Sequence, residues 1–482
     1  MLEGSLKNNS VASLAIWDFS GRLANFAVLF VVNLLLTRLL MPTQFGAFAI
    51  VIAIISFSSI FIDLGFRSAI IQSQEITQQQ LSTVFFLNLA IGLTLFAGFY
   101  LLSGFIERFY GIDGLADYIK ITSGIFILNS LSLVPGGLMQ KRLYLKSLSI
   151  VTTIAAVISG VVAVYLALTG WGVWALVSQQ LISAGVTCIF LFIFSGWWPR
   201  LQFSLASIDQ LLRYGIRLFF AGLFETIFTR LDIFIIGKLF PIENLGFYNR
   251  AQSLDNLIKN FASGTTTSIA FPIIARMSQQ DEQVRNFYIR CLNIISFLSF
   301  LLIGNLFLTC FDIVVILYTE KWIDVGYYFR IMVLVGFVYP VSSVMVSLIA
   351  ARGNSGGFLK LEILKKAVLF PAYLSFFFGG VMVFLVVLSL LMLVALCINA
   401  EFVRREIGIS FGEQIWTIFR YAPPGLAAGL GGYFAGFFIQ NVFGHLLVVT
   451  IVFLTIYLAL CYKFKLPGVV DVAGRLRSLR YA

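Results

Sequence analysis

Long apolar stretches, separated by short polar segments, run through almost the whole 482-residue chain. A helix that crosses the hydrocarbon core of a bilayer needs about 20 residues. Turn residues such as Pro42, Gly170, Pro241 and the pair Gly379–Gly380 fall between the stretches. The pattern therefore predicts about 14 membrane-spanning helices, at 12–38, 46–71, 82–106, 118–139, 148–168, 172–195, 212–236, 246–273, 287–310, 326–350, 359–378, 381–402, 415–438 and 443–462.

Composition agrees with this pattern, because 60% of the residues are hydrophobic, 11% are charged and the mean hydropathy is +0.96. Such a chain has a bilayer as its solvent and is predicted to be an all-α polytopic membrane protein. The loops are too short for a soluble catalytic domain, so we expect no enzyme activity. The five cysteines are scattered without metal-ligand spacing, so we expect no metal and no cofactor.

The net charge of +11 is unevenly distributed along the chain, which argues against nucleic acid as a partner. With the N-terminus inside and 14 alternating spans, 20 Lys and Arg residues lie inside and five outside. This asymmetry is typical of the positive-inside rule and predicts that both termini are cytoplasmic. The asymmetry also supports the polar span at 246–273. Without this span, every later loop would lie on the opposite side of the membrane.

An internal repeat is visible at an offset of 200 residues, where RLLMPTQFGAF (38–48) aligns with KLFPIENLGFY (238–248). The repeat predicts two six-helix halves in the same orientation, with a substrate site between them. The predicted parts are an N-terminal lobe at 1–200, a C-terminal lobe at 201–405, and two further helices with a basic tail at 406–482.

Ionisable residues inside the predicted spans are costly in a bilayer, so they usually face water or each other. Basic residues outnumber acidic ones there, which suggests an anionic cargo. The basic residues are Arg22, Arg67, Arg217, Arg230, Arg250, Lys259, Arg330 and Arg420. The acidic residues are Asp18, Asp63, Glu225, Asp232 and Asp255.

Two pairs in the first two spans share an i, i+4 spacing, Asp18 with Arg22 and Asp63 with Arg67, which places both members on one helical face. Either the pairs are structural ion pairs, or they belong to the wet face of a cavity. A polar stripe that continues from Arg22 favours the cavity.

The planar fork of arginine suits phosphate groups, so a cationic cavity could bind a pyrophosphate. The predicted substrate-binding residues are Arg22, Arg67, Arg217, Arg250 and Lys259. The acids can bind a coupling Na⁺ or H⁺, or form ion pairs with the cations: Asp18, Asp63, Glu225, Asp232 and Asp255. The single histidine, His445, is predicted to lie on the surface at an outer turn.

Several segments resemble the polysaccharide-transporter family, the branch of colanic-acid-exporter-like proteins and O-antigen flippases. The superfamily of that branch also holds multidrug and toxin extrusion pumps and lipid II flippases. The resembling segments are FIDLGFRSAIIQSQEITQQQLSTVFFLNL (61–89), GVWALVSQQL (172–181), WWPRLQFSLASIDQLLRYG (197–215), LDIFIIGKLFPIENLGFYNRAQSLDN (231–256), FPIIARMS (271–278) and LYTEKW (317–322).

The resemblance implies a V-shaped fold of two lobes and alternating access. The implied substrate is an undecaprenyl-pyrophosphate-linked oligosaccharide, moved across the bacterial cytoplasmic membrane, with membrane lipids and polysaccharide polymerase or assembly proteins as partners. Lipid II flippases place cavity arginines on helices one, two and eight, where Arg22, Arg67 and Arg250 are the nearest equivalents. The resemblance does not fix a coupling ion.

Two alternatives stay open. A multidrug and toxin extrusion antiporter would share the fold, but the cationic surplus has the wrong sign for organic cations. A membrane glycan polymerase or ligase would need a large outer loop, and the longest predicted outer loops, at 107–117 and 311–325, are small.

Overall fold

The computed structural model describes residues 11–277 and 280–471, with side chains except at 11–16, 18, 19, 260–272 and 355. In these residues the regular secondary structure is helical and no strand is present, which confirms the predicted all-α architecture. Ten segments of the described chain are long and apolar enough to cross a membrane. The protein is therefore a multi-span membrane protein.

Close packing divides the chain into two units, Met1–Gly246 and Phe247–Ala482. Unit 1 holds α1 (Val11–Leu39), α2 (Pro42–Asp63), α3 (Phe66–Gln72), α4 (Gln78–Tyr110), α5 (Leu115–Thr122), α6 (Gly124–Lys141), α7 (Leu145–Leu168), α8 (Val173–Ser195), α9 (Asp209–Leu239) and the start of α10 (Ile242–Arg276). Unit 2 holds the rest of α10 and then α11 (Asp281–Tyr318), α12 (Ile323–Leu334), α13 (Val338–Ala351), α14 (Ser355–Leu369), α15 (Pro371–Leu374), α16 (Phe376–Ile407), α17 (Phe411–Phe419), α18 (Ala422–Gly436) and α19 (Val442–Lys463).

Four predicted spans are not among the ten apolar segments: 212–236, 246–273, 359–378 and 415–438. The first two correspond to α9 and α10, which are 31 and 35 residues long and carry many charged and polar residues. The other two are divided into shorter pieces, because α14 and α18 each have only 15 residues. The count of 14 and the lobe boundary at 200 stay predictions.

The second predicted span, 46–71, is wrong as a continuous helix. Its two parts, α2 and α3, are separated by Leu64 and Gly65, which both adopt the left-handed conformation with φ of 41° and 71°. Gly65 is required here for a second reason, since a Cβ at this position would lie 2.6 Å from the carbonyl oxygen of Gly215 in α9. The chain therefore bends where α9 makes its closest approach.

Two other predicted spans are each made of two helices that together form one candidate membrane span. The span at 118–139 is shared by α5 and α6, and the span at 326–350 by α12 and α13. The predicted turn at Gly379–Gly380 is confirmed as a non-helical kink near the start of α16.

The core of unit 1 is aromatic at one end, where Phe85 contacts Trp197 with ring centroids 5.8 Å apart. The segment after α8 is held by side chains from the first turns of α4. The indole of Trp197 donates to Gln78 Oε1 at 2.8 Å, and the backbone N–H of Arg200 donates to Ser82 Oγ at 3.0 Å. A loop predicted only as a connection is thus an ordered strap across the end of α4.

The core of unit 2 joins the two last helices to α11. Tyr457 of α19 stacks on Phe297 of α11 at 5.6 Å and on Phe453 at 5.9 Å. Its hydroxyl donates to the carbonyl oxygen of Phe297 at 2.9 Å. The helices outside the predicted repeat are therefore firmly packed on α11.

Candidate functional site

The polar stripe of α1 only partly remains available for a ligand. The amide of Asn33 donates to the carbonyl oxygen of Leu29 at 2.8 Å, and the hydroxyl of Thr37 donates to that of Asn33 at 2.6 Å. Both side chains thus form hydrogen bonds with the backbone of their own helix, which is a common way to satisfy buried polar groups. Arg22 is exposed, whereas the side chain of Asp18 lies outside the described residues.

Asp63 and Arg67 do not form the expected side-chain ion pair. Because α2 ends at Asp63, its carboxylate, two residues before the N-cap Gly65, accepts the backbone N–H of Arg67 at 3.1 Å and caps the first turn of α3 from outside that helix. The guanidinium of Arg67 is directed towards α6, where a Cβ at Gly136 would lie 3.9 Å from Nη2. The i, i+4 rule failed here because it assumes an uninterrupted helix.

The charged residues of α9 lie in different environments. Arg217 and Glu225 are exposed, while Asp232 is 6% exposed and accepts the backbone N–H of Ile233 at 2.8 Å. Arg230 is half-buried.

The predicted site residues of α10 lie in unit 2, and two of them neutralise each other. Lys259 Nζ is 2.5 Å from Asp255 Oδ2, and the two side chains are 22% and 5% exposed. The ammonium group also lies 5.6 Å from the ring centroid of Tyr339. A close, largely buried pair of this kind leaves little of the Lys259 charge for a substrate.

Arg250 is the most buried of the predicted cationic residues in the described chain, with 9% exposure. Its Nη2 donates to Oδ1 of Asn249 at 3.1 Å, which fixes one edge of the guanidinium. A buried guanidinium with several in-plane donors is suited to an anionic oxygen cluster such as a phosphate.

The predicted site residues are thus divided between the units. Arg22, Asp63, Arg67, Arg217, Glu225 and Asp232 are carried by unit 1, and Arg250, Asp255 and Lys259 by unit 2. Within the part of the chain that the structure describes, no group of three His, Cys, Asp or Glu side chains could hold a metal ion.

Two features escaped the analysis of the sequence. The first is the break in the second span. The pair Leu64–Gly65, which lies between two charged residues, is the sequence feature that could have predicted this break. The second is the partner of His445, whose Nδ1 lies 2.6 Å from Asp312 Oδ2 while its side chain is 29% exposed. These residues are 133 positions apart, and no local pattern joins them.

Comparisons with known proteins agree with this architecture. A family model described as "Polysaccharide biosynthesis protein" matches residues 35–326, which is more than half of the chain. The chain is 25% identical over 398 residues to the lipopolysaccharide biosynthesis protein WzxC of Escherichia coli, covering 80% of this chain and 79% of that protein. It is 24% identical over 301 residues to the teichuronic acid biosynthesis protein TuaB of Bacillus subtilis, covering 62% of each.

The match to TuaB spans less than two thirds of the length of that relative, and so does the match to the Rhizobium meliloti succinoglycan transport protein ExoT.

Two solved structures share the fold. A lipid II flippase MurJ in an inward closed conformation superposes with a TM-score of 0.73 at 12% identity, covering 94% of this chain and 99% of that one. An inward-facing multidrug resistance MATE transporter superposes with a TM-score of 0.62 at 14% identity, covering 80% and 98%. The chain therefore belongs to the polysaccharide biosynthesis protein family, whose family model extends from the end of α1 to the start of α12.

Proposed function

We propose that this protein is a flippase that moves an undecaprenyl-pyrophosphate-linked oligosaccharide from the inner to the outer leaflet of a bacterial cytoplasmic membrane. The observation that carries the proposal is the buried guanidinium of Arg250 in a membrane protein of the polysaccharide biosynthesis family. Support for a lipid-linked polysaccharide precursor as cargo comes from WzxC and TuaB, which are named for polysaccharide biosynthesis, and from MurJ, which is named as a lipid II flippase.

The chemistry of such a cargo explains the basic residues. A pyrophosphate cannot enter hydrocarbon without compensation of its charge, and arginine supplies charge together with paired hydrogen bonds. Arg250 is the principal candidate, with Arg22, Arg67 and Arg217 as further contacts during alternating access. Lys259 is a weaker candidate than the sequence suggested, because Asp255 already neutralises it.

Transport by this protein would involve no covalent step, and an ion gradient would drive it. Glu225 and Asp232 are the candidates for coupling to Na⁺ or H⁺, since a carboxylate inside a membrane can bind either ion. We also propose that both termini are cytoplasmic and that a polysaccharide polymerase acts on the delivered lipid.

A multidrug antiporter is the second candidate, because a MATE transporter shares the fold. The surplus of basic over acidic residues within the spans disfavours organic cations as cargo. A glycan polymerase is less well supported, since the turn between α11 and α12 contains only Thr319 and the short segment Glu320–Trp322.

The test is flipping in proteoliposomes, with a fluorescent undecaprenyl-pyrophosphate oligosaccharide and an external quencher. We expect protein-dependent flipping that is lost in Arg250→Gln and reduced in Arg22→Gln. Arg285→Gln is the matched control, because that side chain is 48% exposed and bonded to Glu413 at 3.0 Å. Absence of flipping with several glycans, together with movement of cationic dyes, would favour the antiporter.

The coupling ion is tested in the same vesicles by imposing a pH or a Na⁺ gradient. If Glu225 or Asp232 couples transport, Glu225→Gln or Asp232→Asn should flip at a rate that no longer depends on the gradient. A variant that keeps the full response to the gradient removes its residue from this role.

A further inference from the structure

Arg330 is an arginine within a candidate membrane span to which the proposed transport route assigns no role. It lies on α12 in the apolar segment Glu320–Ala351. In the described structure its guanidinium forms no ion pair, and its buried Nε has no hydrogen-bond partner. A charge in this position requires compensation from somewhere, because an uncompensated cation in a membrane segment is costly.

The contacts that Arg330 does make are with aromatic faces of α11. Its guanidinium carbon is 4.3 Å from the ring centroid of Phe307 and 6.0 Å from that of Phe311. Gly326, one turn earlier on α12, makes this possible, since a Cβ there would lie 2.5 Å from Cδ1 of Phe311. An aromatic face stabilises the cation but accepts none of its in-plane N–H groups. The donors at the outer edge of the guanidinium are therefore directed away from the rings.

The acid at the same end of α11 does not neutralise Arg330. Asp312 is directed to α19, where its Oδ2 lies 2.6 Å from Nδ1 of His445. Asp324, at the start of α12, is six positions from Arg330 and so projects from a different side of that helix. Two acids that could have formed an ion pair are thus placed elsewhere.

Arg330 stands in an otherwise apolar, exposed stripe of α12. Ile323, Tyr327 and Leu334, at seven and three positions before it and four after it, are 45%, 51% and 53% exposed. Arg330 is seven residues from the first residue of α12, or roughly 10 Å along the axis. An arginine at this depth lies close enough to the headgroup boundary for a lipid phosphate to reach its guanidinium where it stands against Phe307 and Phe311.

We propose that Arg330 binds the phosphate group of a membrane lipid, whose acyl chains lie along the exposed stripe of α12. The unpaired guanidinium edge supplies charge-assisted hydrogen bonds to the phosphate, and the aromatic faces of Phe307 and Phe311 fix its plane. The apolar stripe favours a lipid over free phosphate, because only an amphiphile satisfies both parts of the surface. This site is independent of Arg250 and of the proposed translocation.

Lipid binding is measured on the purified full-length protein by native mass spectrometry in a neutral detergent. Phosphatidylglycerol is the probe, diacylglycerol with the same chains is the control without phosphate, and inorganic phosphate is the competitor. We expect wild type to retain phosphatidylglycerol and not diacylglycerol, with no displacement by equimolar inorganic phosphate. We expect Arg330→Gln to bind the tightest phosphatidylglycerol about tenfold more weakly.

Arg420→Gln is the matched variant, because Arg420 is also half-buried in unit 2 and lies 5.8 Å from an aromatic centroid, that of Tyr421. Its phosphatidylglycerol affinity should equal that of wild type. Equal affinity in Arg330→Gln, or equal binding of diacylglycerol, overturns the proposal. Efficient displacement by inorganic phosphate overturns the assignment to a lipid.

If Arg330→Gln does not fold, Phe307→Leu is the second variant, because it retains the charge of Arg330 and should still weaken phosphatidylglycerol binding. The competition experiments on the wild-type protein, which need no variant, also distinguish binding of a phospholipid from binding of diacylglycerol or of inorganic phosphate.

Discussion

Gly46 and Gly246 stand 200 positions apart, and each packs against the first turn of the helix that carries the other. A Cβ at Gly46 would collide with the carbonyl oxygen of Ile242, and a Cβ at Gly246 with that of Pro42. Pro42 and Ile242 are themselves 200 positions apart, so the contact relates equivalent positions of the predicted repeat. It lies within unit 1 and brings the starts of α2 and α10 into backbone contact.

This contact predicts that neither glycine tolerates even a methyl group. Gly46→Ala and Gly246→Ala should each lower the free energy of unfolding by about 1–3 kcal/mol, because the backbone carbonyl opposite cannot move aside as a side chain could. The measurement is thermal unfolding of purified protein in detergent. Gly98→Ala is the control, since a Cβ there meets nothing within 4 Å. Melting temperatures that do not differ among the three variants would contradict the prediction.

A second prediction separates the two roles that Asp63 could have. As the acceptor for the Arg67 N–H in the first turn of α3, its carboxylate needs only one oxygen, which asparagine also provides. Asp63→Asn should therefore retain stability, whereas Asp63→Ala should lose about 0.5–2 kcal/mol. The free energy of unfolding and the flipping rate are measured for both variants.

If Asp63→Asn folds as wild type but no longer responds to an ion gradient, the charge has a role in transport beyond the cap. If both its stability and its gradient response match those of wild type, Asp63 is a structural residue. A large loss of stability in Asp63→Asn would show that the capping geometry is not what holds the break in place.

The same region shows what the sequence could and could not predict. Apolar periodicity predicted the long helices, because burial in a bilayer demands about 20 consecutive apolar residues whatever the tertiary packing. The break at Leu64–Gly65 depends on the close approach of Gly215, a residue 150 positions away. Local spacing contains no information on such an approach. The sequence therefore predicts an ion pair between Asp63 and Arg67, where the structure has a hydrogen bond from the Arg67 backbone to Asp63.

The strap after α8 shows the same limit in two segments that carried the family resemblance. ITQQQLST and WWPRLQFS are far apart in the sequence, yet Gln78 in the first accepts from the indole of Trp197 in the second. The two segments form one structural feature. Their contact could be inferred only once the fold had brought α4 and the strap together.

A third prediction concerns the buried pair Asp255–Lys259. Lys259→Met leaves the carboxylate of Asp255, which is 4% exposed, without its cation and should destabilise the protein by about 3–5 kcal/mol. The double variant Asp255→Leu/Lys259→Met removes both charges and should recover most of that stability. Unfolding of the two variants and wild type is compared in detergent.

Flipping by the double variant then decides whether Lys259 contacts the cargo. Retained flipping in a stable double variant assigns the pair to folding. If the double variant is fully stable but no longer flips the lipid, Lys259 contacts the substrate, as the sequence predicted.

The fourth prediction is that the Asp312–His445 pair holds α19 against α11. The side chains are 13% and 29% exposed, and Gly436 of α18 leaves room for the imidazole, since a Cβ there would lie 2.5 Å from Nε2. A double-mutant cycle with Asp312→Asn and His445→Gln should give a coupling energy of about 1–3 kcal/mol, as expected for a partly buried hydrogen bond to a charged group. The control cycle is Asp209→Asn with Arg213→Gln, whose side chains are 59% and 77% exposed. That pair should give less than about 1 kcal/mol, because water screens it. Equal coupling in the two cycles would mean that the histidine pair contributes no more than an ordinary surface contact, and the attachment of α19 would then rest on the stacked rings of Phe297, Phe453 and Tyr457.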